Sequence, residues 1–217
     1  MTQPTSPRAQ AKRQQIMAAA RQLFLAQGYE RSSTEAIRQA AGVSKQTLYV
    51  YFPGKVELLS AVVMQELAGL GPLLSGAEPG MTPKTLDELR VLLLWLAQTF
   101  TGKLMEPDAL ALLRLLIGEA VHLPELRGVV REAFPTRLLA GVERLLSAAH
   151  TSGLIDAPDP NLSARLFIGP VISFVALDGL LSREPPAPPG VATLVRLVDL
   201  FLLTVRKGEN SDERTQS

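Results

Sequence analysis

The residues most able to do chemistry in this chain form one short run, Lys45, Gln46 and Thr47, directly after Ser44. A lysine ammonium can donate to O6 and N7 of guanine, and a glutamine amide can pair with adenine through two hydrogen bonds. A threonine methyl can touch the methyl group of thymine. Because the run lacks an apolar partner pattern, we expect these three side chains to contact base edges in DNA rather than a protein core.

Hydroxyl and ammonium groups that could contact phosphate flank this run. Tyr49 and Tyr51 follow within one helical turn, where their hydroxyls can reach phosphate oxygens, although either ring could instead pack in a core. Lys55 stands where the next helix begins, and Ser33 and Thr34 precede the run at the start of another helix. We expect all five to contact the DNA backbone, while Lys12 and Arg13 are expected to form a solvated face.

The local elements that must position these groups are short helices separated by clear stop signals. A first helix is predicted over 9–26 and ends at Gly28, and 32–35 has the hydroxyl and carboxylate spacing of a capping box. A short helix then stops at Gly42, Ser44 caps a third helix over 45–52, and a fourth begins near residue 55.

Small residues at the turn indicate how the second and third helices meet. A helix-turn-helix needs a glycine where the first of its two helices ends and small residues where the helices cross. Ala40, Ala41 and Gly42 meet this need, and Val43 can fill the turn. The third helix would then present its polar N-terminal end to the major groove.

Residues 9–59 resemble the DNA-binding domain of the TetR/AcrR family of repressors. Two positions depart from the commonest pattern: Arg38 replaces a small residue, and Gln46 replaces a frequent glycine. Arg38 is therefore expected to add a phosphate contact. The predicted DNA-binding set is Ser33, Thr34, Arg38, Ser44, Lys45, Gln46, Thr47, Tyr49, Tyr51 and Lys55. The resemblance is carried by Gly28-Tyr29, Ser33-Thr34, Ile37, Ala41-Gly42-Val43-Ser44, Thr47-Leu48-Tyr49, Tyr51-Phe52, Lys55 and Leu58-Leu59.

The remainder of the chain is also expected to be helical, which gives an all-α fold. Helices are predicted over 86–101, 107–122, 124–150, 160–181 and 191–206, with Pro135 and Pro170 kinking or splitting two of them. The last helix is apolar on two sides, so it needs a second partner besides its own core. The resemblance implies that the final two helices form the interface of a homodimer. Such a dimer would present two recognition helices to a pseudo-palindromic operator.

A sensor pocket for a small organic effector is expected among the central helices, because aromatic-rich helical cavities favour such ligands. Glu119 and His122 are too few to hold a metal without a third ligand, so no metal and no cofactor are expected. The candidate lining residues are Trp95, Phe100, Arg114, Glu119, His122, Phe134, Phe167 and Phe174.

Composition limits the class of protein. The 217 residues carry a net charge of +1, but residues 1–60 hold eight basic and three acidic residues, a net of +5, so the remainder carries −4. Because residues 1–60 are basic and the remainder is acidic, we expect only the N-terminal part to bind a polyanion such as DNA. Cysteine is absent, and the apolar stretch 166–177 is shorter than the roughly 18 residues of a membrane span. A cytoplasmic location with no membrane partner is therefore expected.

These observations predict four segments and one favoured function. Residues 1–8 are expected to be flexible, 9–55 to bind DNA, 56–206 to sense ligand and dimerise, and 207–217 to be disordered. The favoured function is a transcriptional repressor released from its operator by an effector. The alternatives are a nonspecific architectural DNA-binding protein and, less favoured, a helical enzyme with a regulatory head. The chain offers no phosphate-binding glycine loop and no nucleophile paired with a base, so no enzyme activity is expected.

Overall fold

The computed structural model describes residues 6–66, 83–131, 137–182 and 185–207. The predicted flexible N-terminus falls partly outside the described residues, and Phe134, Pro135 and nearly all of the predicted disordered tail lie outside them. No strand occurs in the described ranges. The helices are α1 Pro7–Arg31, α2 Thr34–Ala40, α3 Lys45–Tyr51, α4 Lys55–Glu66, α5 Leu86–Leu104, α6 Pro107–His122, α7 Pro124–Arg131, α8 Arg137–Thr151, α9 Pro160–Phe174 and α10 Val191–Thr204, with a π-helical segment Val175–Leu180 after α9.

The helices fall into two compact units that the chain enters alternately. The first unit comprises residues 1–69 and 107–134, and the second comprises 70–106 and 135–217. Helices α6 and α7 therefore pack with the N-terminal helices, whereas the sequence prediction grouped all of 56–206 by function. That functional grouping stays a prediction.

The first unit is organised around α1. This helix packs against α2, α4 and α6, and α4 also packs against α6 and α7. Ile16, Ala20 and Phe24 of α1 are fully or almost fully buried, at the four-residue spacing of one helix face. Ile37 of α2 and Leu58 of α4 complete this core without exposed surface. The apolar periodicity thus accounts for how the short helices are held.

An arginine in α1 ties three helices of this unit together. Arg21 Nε donates to Glu66 Oε1 of α4 at 2.6 Å, and its Nη2 donates to Asp108 Oδ2 of α6 at 2.7 Å. The two carboxylates raise the pKa of Arg21, with the hydrogen bond to Asp108 as the largest cause. Because the arginine and Asp108 are partly exposed, the network orients the helices more than it stabilises them.

The end of α1 and the start of α2 differ in part from the sequence prediction. Gly28 does interrupt the first helix, with a φ of 82° that residues with a side chain rarely adopt. The capping residue of α2 is Ser33, whose hydroxyl accepts from the amide of Ala36, so the cap lies one position later than predicted and Glu35 does not complete a capping box. Ser32 is instead buried and donates to the carbonyl oxygen of Gly28, and Glu35 pairs with Arg38.

The second unit is a bundle of α5, α8, α9 and α10. Helix α9 contacts α8, α5 and α10, and α10 contacts α5. The rings of Phe167 in α9 and Phe201 in α10 lie 5.3 Å apart, and both are buried. Arg90 of α5 donates through two nitrogens to both carboxylate oxygens of Asp199 in α10. The apolar core and this bidentate pair together align α5 with α10.

The sequence predicted that Pro170 would kink or split its helix, and in the structure α9 is not split there. The proline lies on an exposed face, where its missing N–H and bulky ring are tolerated, and the helix continues to Phe174 before widening into the π-helical segment. As a result, one continuous run, Pro160–Leu180, is long and apolar enough to cross a membrane by length and composition alone. One face of this run is buried within the second unit, through Phe167, Ile168 and Val171, as in a core helix.

Candidate nucleic-acid interface

The position of α3 follows from its cap, the turn before it and one buried side chain. Ser44 accepts a hydrogen bond from the amide of Thr47 at 3.1 Å, which ends the turn and starts the helix. Gly42 adopts a φ of 59°, and the side chain of Val43 is buried in the turn. Leu48, almost completely buried, fixes the rotation of α3 about its axis.

This rotation leaves most of the predicted base-reading face exposed. Lys45 and Gln46 are exposed at the N-terminal end of α3, and Thr47 is half-buried. The hydroxyls of Thr47 and Ser44 lie 2.8 Å apart, so the threonine supports the cap as well as the surface. The structure thus brings Lys45 and Gln46 together on the solvent face of the unit.

The remaining aromatic and hydroxyl candidates surround this face to different degrees. The side chain of Tyr49 is exposed over 43% of its surface, whereas Tyr51 is half-buried. Ser33 is exposed and caps α2, and Thr34 is half-buried beside it. Exposed hydroxyls and amides at the start of a helix suit a phosphate, so capping and phosphate contact are compatible at Ser33.

Arg38 is held inside the helix-turn-helix. Its guanidinium donates to both carboxylate oxygens of Glu35 and, through Nη1, to the carbonyl oxygen of Val43 at 3.0 Å. The hydrogen bond from Arg38 lowers the pKa of Glu35 to about 2, and Gln39 Nε2 donates to the same carboxylate. Arg38 therefore connects the end of α2 to the turn, an arrangement that the sequence did not indicate.

Lys55 is likewise engaged within the unit. Its Nζ donates to the carbonyl oxygen of Tyr29 at 2.9 Å and lies 4.0 Å from the centre of the Tyr29 ring. The lysine thus caps the C-terminal end of α1, where helix carbonyls favour a positive charge. Burial is the main cause that raises the pKa of Tyr29 to about 12, with Glu119 as the largest charge contribution.

Contacts between α1 and the helix-turn-helix were missed from the sequence. Gln15 Nε2 donates to the carbonyl oxygen of Ala41 at 2.8 Å, and the Arg13 guanidinium lies 5.2 Å from the centre of the Phe52 ring. Lys12 donates to Gln15 at 2.9 Å. Lys12 and Arg13 were predicted to form a solvated face, but both are half-buried. Through these contacts they support the positions of α2 and α3. No local sequence signal distinguishes such arginines and glutamines from solvated ones.

The predicted effector-binding residues are divided between the two units. Trp95, Phe100, Phe167 and Phe174 belong to the second unit, where Phe100 and Phe167 are core residues. Arg114, Glu119 and His122 belong to the first unit, with Arg114 and His122 exposed, and Phe134 lies outside the described residues. Among the described residues, no three histidine or acidic side chains gather where they could hold a metal ion.

An open groove in the second unit lies between α9 and α10. It has a volume of about 540 Å³. Leu200 is 63% exposed and Leu166 is 52% exposed, although both are large apolar side chains. The other side of α10 buries Leu194 and Val198 in the bundle, so this helix is apolar both inside and outside its unit. The groove is lined by Leu166, Pro170, Thr193, Arg196, Leu197, Leu200, Phe201 and Thr204.

The geometry defines the class of protein. It is a helix-turn-helix protein in which α3, the second helix of the motif, has an exposed polar N-terminal end, and the chain also forms a helical bundle. Residues 16–62 match the family described as bacterial regulatory proteins, tetR family, and residues 92–204 match the C-terminal domain of AefR-like transcriptional repressors. The chain belongs to the TetR family. Its members are transcriptional regulators that bind DNA operators and small-molecule effectors and act as dimers.

Individual relatives agree with this assignment over different lengths. The chain is 38% identical over 63 residues to the regulator SrpR of Pseudomonas putida, which is 29% of this chain and 30% of SrpR. It is 32% identical over 80 residues to the activator FasR of Mycolicibacterium smegmatis, 37% of this chain and 35% of FasR. The alignments with SrpR and FasR thus cover about a third of each of these two proteins. A solved TetR-family regulator from Mesorhizobium loti is similar over 93% of this chain and 100% of its own, with 27% identity and a TM-score of 0.70.

Proposed function

We propose that this protein is a cytoplasmic, homodimeric transcriptional repressor that binds a pseudo-palindromic operator and is released by a small organic effector. The observation that carries the proposal is the exposed end of α3, where Lys45 and Gln46 stand free of the core while Leu48 anchors the helix. A lysine and a glutamine so placed can read guanine and adenine in the major groove.

Support for phosphate contacts comes from the rim of this surface. Ser33 and Tyr49 are exposed, and Lys55 retains one N–H beyond the two that point to backbone carbonyls of the first unit. Arg38 is proposed to act differently from the sequence prediction, because three of its N–H groups hold the guanidinium between Glu35 and the Val43 carbonyl. It would position α3 rather than contact phosphate.

Dimerisation is proposed to cover the apolar groove between α9 and α10. Exposed leucines on these helices are costly in water, and a second copy placed around a twofold axis would bury the same groove on both chains. A dimer would also give the symmetry that a pseudo-palindromic operator requires.

The effector is proposed to be an organic molecule bound by the helical body. If it weakens DNA binding, linkage requires that operator DNA weaken effector binding by the same factor. Thermal-shift screening of organic ligands, followed by calorimetry with and without operator DNA, tests this reciprocity. Equal effector affinity in both titrations would remove effector release from the proposal.

Selection of bound sequences from random duplex DNA tests the central claim. We expect one pseudo-palindromic consensus, and a gel shift with competitor DNA should give a ratio of specific to nonspecific affinity of about 10³ or more. Gln46→Ala should relax one position of the consensus at a cost of about 1–3 kcal/mol. A ratio near one would instead favour the architectural alternative.

A further inference from the structure

The exposed face of α3 contains one residue that the chemistry of polar base contacts does not explain. Val50 is 73% exposed, more than Tyr49 beside it, although it is apolar and β-branched. Valine is less favourable than alanine inside a helix because its branched side chain loses rotamer freedom. Neither helix propensity nor burial therefore accounts for a valine at this position.

The position of Val50 places it among the candidate base contacts. It follows Gln46 by four residues and Thr47 by three, and these spacings put side chains on one face of a helix. Leu48, which is buried, points the opposite way. A helix that lies in the major groove with Gln46 toward the bases thus carries Val50 toward the base edges one turn further along.

We propose that Val50 is a specificity-determining residue that reads thymine by packing against its 5-methyl group. The methyl group is the one apolar feature that a base pair displays in the major groove, and it distinguishes thymine from cytosine. A valine offers two methyl groups and no hydrogen-bonding atom, so among the bases it favours thymine. This inference rests on the proposed function, because it requires α3 to lie in the groove.

Removal of the methyl group from either partner tests the contact. In the operator obtained by selection, each thymine is replaced in turn by deoxyuridine, which keeps the Watson–Crick pairing and lacks the methyl. One thymine per half-site should lower the affinity of the wild-type protein about fivefold when replaced, the amount expected for losing about one buried methyl contact. Val50→Ala should lose a similar factor on the unmodified operator and be insensitive to deoxyuridine at that position.

Val121→Ala is the matched control. Val121 lies in α6 and is 64% exposed, so the variant makes the same chemical change on a helix with no candidate base contacts. It should retain the wild-type response to every deoxyuridine. Circular dichroism and thermal unfolding of both variants check that neither change alters the fold.

The outcomes separate this inference from the proposed function. If the wild-type protein selects an operator but Val50→Ala responds to deoxyuridine as the wild type does at every position, the contact is refuted while the repressor proposal stands. The contact is likewise refuted, and the repressor proposal stands, if no deoxyuridine replacement lowers the affinity of the wild-type protein for its operator. If no operator is selected at all, both proposals are overturned.

Discussion

The guanidinium of Arg38 donates a hydrogen bond to the carbonyl oxygen of Val43 at 3.0 Å, across the turn that joins α2 to α3. Its Nε and Nη2 donate to the carboxylate of Glu35, one turn earlier in α2. The arginine thus bridges the helix and the turn that aims α3. We expect this bridge to affect DNA binding by fixing the orientation of α3, since it orders the backbone at Val43, just before the cap of α3.

A substitution of Glu35 can show whether Arg38 positions α3 or contacts a phosphate of the DNA. Glu35→Gln weakens the bridge while leaving the arginine charge in place. If Arg38 positions α3, this variant should bind its operator about 3- to 10-fold more weakly, the cost of weakening one charge-assisted hydrogen bond in water. Fluorescence anisotropy measures the affinity.

Arg38→Lys is the companion variant, because it keeps the charge but lacks the forked donors. It should lose affinity by a similar factor, with no change in the slope of log affinity against log salt. Tighter binding by Glu35→Gln would instead indicate that a freed Arg38 contacts phosphate.

The same bridge predicts a pH dependence. The pKa of Glu35 is lowered to about 2 by the hydrogen bond from Arg38. Because this value is below that of the unfolded chain, the contribution to stability is fully present above about pH 4.5 and is lost as the pH falls toward 2. A carbon-detected NMR titration should place the Glu35 midpoint near 2 in the wild type. In Arg38→Gln the midpoint should rise toward the ordinary value for glutamate.

Tyr29 should titrate at high pH. Burial is the main cause that raises its pKa to about 12. Since the folded-state pKa exceeds that of the unfolded chain, the contribution to stability is present below about pH 10 and is lost as the pH rises through 12. The difference in phenolate absorbance between the wild type and Tyr29→Phe should appear near pH 12. A difference that appears at pH 10 would show that the ring is not shielded from water.

Lys55 should have a role in folding as well as in DNA binding. Its Nζ caps the end of α1 through the Tyr29 carbonyl, so Lys55→Met should lower the free energy of unfolding by about 1 kcal/mol. Urea unfolding measures this loss. In DNA binding, the same variant should flatten the salt slope by about one unit if the remaining N–H contacts phosphate. Lys84→Met, at an exposed lysine of the second unit, serves as the control and should do neither.

The groove between α9 and α10 should control the oligomeric state. Leu200→Glu places a charge where the proposed partner packs, so the variant should be monomeric in sedimentation experiments. Val91→Glu, on an exposed valine of α5, is the matched control and should remain dimeric. A dimeric Leu200→Glu protein would assign the interface to another surface.

Local features of the fold could be predicted because they depend on neighbouring residues. The glycine stop at Gly42 and the serine cap at Ser44 both involve hydrogen bonds spanning only a few positions. The same locality explains the error at the start of α2. Ser32 and Ser33 are both chemically suited to cap the helix, and burial of Ser32 beside Gly28 decides between them.

The sequence by itself determined the all-helical fold, the helix-turn-helix and the polar end of α3, since periodicity, caps and turn residues act over a few positions. Only the tertiary structure decided where Arg38 and Lys55 point and which helices pack with the N-terminal ones. It also revealed the exposure of Val50. The physical reason is that a long charged side chain can reach several carbonyl and carboxylate oxygens. For Arg38 the geometry of the turn after α2 brings the Val43 carbonyl within reach, and for Lys55 the Tyr29 carbonyl becomes a neighbour only after α1 and α4 have packed.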